Sequence, residues 1–69
     1  MLPERLVAMA NQIGDFFMAQ RDRVPAEAIA QHLRQFWDPR MRAAILAHLD
    51  AGGEGLKPAV REAVGKLRA

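Results

Sequence analysis

His32, His48, eight carboxylates and ten Lys or Arg side chains are the groups of this 69-residue chain that could do chemistry. Ser, Thr, Tyr and Cys are all absent, which excludes a hydroxyl or thiol nucleophile. General acid–base catalysis needs two groups held together. No such pair sits at a spacing that would bring it onto one helix face. A metal site is poorly supported too, since the two His fall on different predicted elements with no Cys or grouped carboxylate beside them. The loop Ala51-Gly52-Gly53-Glu54-Gly55 lacks the Gly-Lys-Ser/Thr of a phosphate cradle and carries an acid. The residues therefore predict no catalytic, cofactor-binding or metal-binding site.

The elements that would position these groups are helices. All four prolines, Pro3, Pro25, Pro39 and Pro58, fall at expected helix starts. The centre of the chain is Phe36-Trp37-Asp38-Pro39-Arg40-Met41-Arg42. Asp38 reads as an N-cap and Pro39 as the first helical residue. Proline bars the α region to the residue before it, so the preceding helix must end near Trp37. The stretch predicts a corner between two helices.

The first helix is expected over about residues 3–20, with Leu6, Met9, Ala10, Ile13, Phe16 and Phe17 as its buried face. Val7, Asn11, Gly14 and Met18 form a second row, in which Gly14 would let another backbone come close. This row suits internal packing or a partner-facing groove. The second helix is expected over 25–37, burying Ala26, Ile29, Leu33 and Phe36 with Ala30 and Trp37 alongside. His32 sits beside that face. The third is expected over 39–50, with Met41, Ala44, Ile45, His48 and Leu49 on one side and Leu46 exposed. Glycines end it. The fourth is expected over 56–67, with a stripe of Leu56, Val60, Ala63, Val64 and Leu67 and a Glu62–Lys66 pair. Residues 1–69 thus predict one all-α domain, a small bundle of three to four short helices.

Composition narrows the function. An apolar fraction of 51% is high for so short a chain, and no disulfide can help stabilise it. Part of the apolar surface is expected to be covered by another chain. No apolar run is long enough to span a membrane, and the N-terminus does not read as a signal peptide, so the expected location is cytoplasmic without membrane contact. A net charge of +2, spread along the chain, fits a solvated helical surface. The corner also resembles a helix-turn-helix, with Arg40 and Arg42 at the start of the reading helix. That helix continues Ala43-Ala44-Ile45-Leu46-Ala47, without side chains that read bases. A DNA-binding or other interaction module is the alternative reading. The preferred one is a protein-interaction chain, with Val7, Gly14, Met18, Trp37, Arg40, Arg42 and Leu46 as candidate partner contacts. Trp, Arg and Met are enriched at interfaces.

Four runs carry a resemblance. Met9-Ala10-Asn11-Gln12-Ile13-Gly14-Asp15-Phe16-Phe17 is similar to the opening of the small delta subunit of NAD-dependent formate dehydrogenases. Ile29-Ala30-Gln31-His32-Leu33 and Phe36-Trp37-Asp38-Pro39-Arg40-Met41-Arg42 resemble its centre. Leu46 through Leu56, with Pro58, resembles its later part. The resemblance implies a non-catalytic accessory subunit that supports assembly or stability of a large (alpha) subunit. It also implies a complex holding a molybdenum or tungsten pterin, iron–sulfur clusters and FMN, none of them bound by this chain. Nucleic acid is not an expected partner. Self-association of the isolated chain is left open.

Overall fold

A computed structural model describes residues 2–20 and 24–68. Its helices are α1 (Pro3–Met18), α2 (Pro25–Phe36), α3 (Pro39–Asp50) and α4 (Pro58–Lys66), and no strand occurs among the described residues. The fold is all-α, as expected. Each helix opens with proline at its first position, where no amide donor is needed. The connection Arg21-Asp22-Arg23 lies outside the described residues. The fourth helix starts at Pro58 and not at Leu56, because Lys57 stays extended ahead of proline (ψ 155°). Leu56 is nevertheless buried.

The corner forms as its residue types dictate. α2 stops at Phe36, and Trp37 and Asp38 are extended, with ψ of 138° and 168°. The Met41 amide donates to Asp38 Oδ1 at 2.9 Å, which makes Asp38 the N-cap of α3. Arg42 closes the other side. Its Nη1 donates to the Trp37 carbonyl and, at 3.3 Å, to that of Arg34. Those acceptors would otherwise lack partners at the end of α2. Trp37 itself turns into the core and is 5% exposed. Although consecutive, α2 and α3 barely touch each other, and α2 packs chiefly on α4.

The glycine loop is held on three sides. Gly53 donates to the His48 carbonyl at 2.9 Å and Gly52 to that of Leu49 at 3.0 Å, a Schellman ending for α3. Gly53 adopts φ +65°, and a side chain there would also meet Arg61 and Leu49. Arg61 Nη1 donates to the Gly52 and Gly53 carbonyls at 3.0 and 2.9 Å, while His48 Nε2 lies 2.8 Å from the Glu54 carbonyl. From α1, Asn11 acts as a two-pronged clamp. Its Nδ2 donates to the Gly55 carbonyl at 2.9 Å and its Oδ1 accepts from the Lys57 amide at 3.1 Å. Polar side chains of three helices thus satisfy loop backbone groups that would otherwise be left without protein partners.

The core is aliphatic. Leu6, Ile29, Leu33, Ile45, Val60 and Val64 are its largest fully buried side chains, with Ala10, Ala26, Ala30 and Ala63 between them. Its tightest approach is at Gly14. A Cβ placed there would sit 2.5 Å from Val60 Cγ2 and 3.6 Å from Ile29 Cδ1. Val60 is β-branched and fully buried, so it cannot swing aside. Gly14 therefore serves internal helix packing.

Four apolar expectations are corrected. Met9, Phe16 and Phe36, read as core, are exposed. Leu46, read as exposed, is half-buried and packs against the core. The ion pairs among the described residues are Lys57–Asp15 at 2.7 Å and Arg68–Asp50 at 2.5 Å, and Glu62–Lys66 is not one of them. Hydrogen bonding by Arg68 lowers the Asp50 pKa from its ordinary value. That contribution is present above Asp50's unfolded pKa and is lost as pH falls through the lowered one. Both side chains are exposed, so solvent screening keeps it small.

Two stability outcomes follow. Gly14→Ala gains about 1 kcal/mol of helix propensity but overpacks a stiff contact, a cost of about 1–3 kcal/mol. Urea denaturation should show a net loss of about 1 kcal/mol. In a Val60→Ala background, the same substitution should become neutral or stabilising. Asp38→Ala should lose about 1 kcal/mol with its N-cap. An unchanged denaturation midpoint for Asp38→Ala would contradict the capping assignment.

Candidate protein-docking face

Gly14 facing Val60 fixes the rotation of α1. At about 100° per residue, Leu6, Ala10 and Gly14 then point inward, and Met9 and Phe16 point away from α4. They emerge on the side where α1 meets α2. There the rings form a ladder. Phe16 meets Phe17 edge-on at 5.2 Å, Phe17 meets His32 at 5.9 Å, and His32 tilts against Phe36 at 4.6 Å. The first two contacts have the edge-to-face geometry favoured by ring quadrupoles.

The ladder borders a shallow groove of about 340 Å³ lined by Met9, Gln12, Ile13, Phe16, Phe17 and His32. No Asp, Glu, Lys or Arg lines it, and the polar groups on its walls are the side chains of Gln12 and His32. Phe16 and Phe36 are 61% and 65% exposed, and Met9 is 41% exposed. A cluster of large apolar side chains left in water marks an interaction surface.

The seven candidates read from the sequence distribute differently. Val7, Gly14 and Trp37 are buried within the chain itself. Leu46 is half-buried against the core. Arg42 is half-buried and turned back onto the end of α2, which also removes it from the base-reading position that a helix-turn-helix would need. Met18 and Arg40 remain exposed. Met18 borders a second cleft between α1 and α4, lined in part by Gly14, Lys57 and Ala59. The aromatic face was missed because periodicity assigned its members to the core. The available signal was surplus: α1 carries more apolar positions than one buried stripe of a small bundle can take up.

His32 and His48 are engaged separately, one in the ladder and one at the glycine loop. No group of three or more His, Asp or Glu side chains gathers among the described residues. What the arrangement can do chemically is bind another apolar surface.

A family model described as NADH-dependant formate dehydrogenase delta subunit FdsD matches residues 5–64. Neither a curated protein nor a solved structure matches the chain. The matched span contains the whole ladder, the corner and the glycine loop.

Exposure separates interface aromatics from core ones. Phe16→Gln and Phe36→Gln should each change unfolding free energy by no more than about 0.5 kcal/mol. Trp37→Ala, by contrast, should lose about 3 kcal/mol. Thermal or urea unfolding of the isolated chain would measure both. A comparable loss for the two Phe variants would place the ladder in the core.

Proposed function

This chain belongs to the NADH-dependent formate dehydrogenase delta-subunit family, and from that premise we propose that it is a non-catalytic accessory subunit. In this reading it docks onto the large, molybdenum- or tungsten-containing subunit of a cytoplasmic formate dehydrogenase and supports that subunit's assembly or stability. The whole chain acts as one helical domain. The observation that carries the reading is the aromatic face of α1 and α2, left exposed by the folded chain.

The composition supports the division of labour. Iron–sulfur clusters are held by Cys thiolates, and the chain has no Cys. The clusters of such a complex are therefore assigned to other subunits, and the family resemblance implies the same for the pterin and the FMN. Phe16, Phe36 and Met9 are the apolar anchors. Met18 in the second cleft and Arg40 at the start of α3 are contacts at the margin. Arg40 suits the role because a guanidinium can engage a carboxylate bidentately. Val7, Gly14, Trp37, Arg42 and Leu46 support the fold behind that surface. No helix of the described residues is long and apolar enough to cross a membrane.

The test is to express the other formate dehydrogenase subunits with the wild-type chain, without it, and with the Phe16→Gln/Phe36→Gln variant. Complex yield, metal content of the large subunit and formate-dependent NAD reduction are compared. Omitting the chain should lower all three, and the variant should behave like the omission while staying folded. Losing one aromatic anchor should weaken association about 30-fold, the equivalent of about 2 kcal/mol. Unchanged yield, metal and activity, with no co-purification of the wild-type chain, would refute the accessory role.

A further inference from the structure

We propose that the groove's occupant is a single amphipathic helix of another subunit, laid against α1 and α2 with apolar residues at i, i+3 or i+4, and i+7. The inference rests on the docking reading above and adds the form of what docks.

Hydrogen bonding decides the form. The groove lies between two helices whose interior amide and carbonyl groups pair within their own helix. Its walls offer the side-chain polar groups of Gln12 and His32, and the remaining lining residues are Met9, Ile13, Phe16 and Phe17. An extended segment that docks as an added strand does so by main-chain hydrogen bonds to an open sheet edge, and the described residues contain no sheet. Buried here, such a segment would leave most of its facing backbone groups without partners, which costs free energy at each one. A helix brings its own backbone bonds and presents side chains alone.

Size points the same way. Lining positions 9, 12, 13 and 16 run along α1 for about 10 Å at 1.5 Å per residue, enough for about two turns of a partner helix. The exposed parts of Met9, Phe16 and Phe36 together offer on the order of 300 Å² of apolar surface. A stable interface between globular partners takes about 800 Å² from each. The face is too small to hold a second copy of this chain by itself and suits one short element. Because the lining is mostly apolar and holds no Asp, Glu, Lys or Arg, the contacting side of that helix is apolar, with its charges on the face turned to solvent or to the rest of its subunit.

Replacing Phe16, and separately Phe36, by p-benzoylphenylalanine in the intact complex tests this. After irradiation, mass spectrometry maps the partner residues that are joined. These positions are exposed, so the replacements should leave the helical circular dichroism of the chain unchanged. The expected result is attachment to one contiguous stretch of one formate dehydrogenase subunit, at residues three, four or seven apart. Attachment at every second residue would indicate a strand and overturn the proposal. So would attachment to a second copy of this chain or to several separate segments. If the chain co-purifies with the complex and neither position attaches to any subunit, the helix inference fails while the accessory role stands. If the wild-type chain does not co-purify, the docking reading itself fails, and the inference with it.

Discussion

The approach of α1 to Val60 at Gly14 is the constraint on which the rest of the molecule depends. A Cβ there would lie 2.5 Å from a fully buried, β-branched neighbour. That distance admits only glycine without a shift in the packing. Once Gly14 faces α4, the rotation of α1 has no remaining freedom. Leu6, Ala10 and Gly14 face inward, and Asn11 is placed to reach the Gly55 and Lys57 backbone. Met9 and Phe16 are sent to the opposite flank. One missing side chain thus shapes both the core and the surface that carries the functional reading.

Polar residues in this chain are used mainly on backbone. Asp38 caps α3, Arg42 caps α2, and Asn11, Arg61 and His48 hold the glycine loop. Most of these residues lie in the runs that resemble the delta-subunit family, so those runs are largely instructions for folding. Phe16 and Phe36 stand in the same runs. Neither fills the core or satisfies a backbone group, and in the proposed reading another chain covers them.

Local chemistry was the legible part of the sequence. Proline at the first helical position, the Asp38 cap and the glycine ending of α3 each act within a few residues, and all three occur where their residue types place them. The all-α fold was legible for the same reason. The docking face was not, because periodicity identifies an apolar stripe without saying which of two overlapping stripes turns inward. On α1 the choice was made by a contact with α4, more than forty residues away. On α2, Phe36 continues the stripe of Ile29 and Leu33, but the helix ends there and Trp37 occupies the adjoining core position. Leu46 failed the same way in reverse, since contact from neighbouring elements half-covers a residue that lies off its own helix's main stripe.

The distribution of size across the core and surface connects folding to assembly. Ala10, Ala26, Ala28, Ala30 and Ala63 are buried while two of the three phenylalanines are mostly in water. Small interior residues let four short helices approach closely, but each buries little apolar area, roughly 25 cal/mol per Å². Bringing Phe16 inside would require α1 to rotate, which Gly14 and Val60 forbid. The chain therefore keeps its largest unspent burial on the outside, where a partner can realise it. A partner that binds only the folded form stabilises that form by RT ln(1 + [L]/Kd). A chain of this length has a small margin of its own, so a tight complex would raise its stability by a large fraction. In the proposed docking reading, folding and assembly are coupled through the same aromatic face.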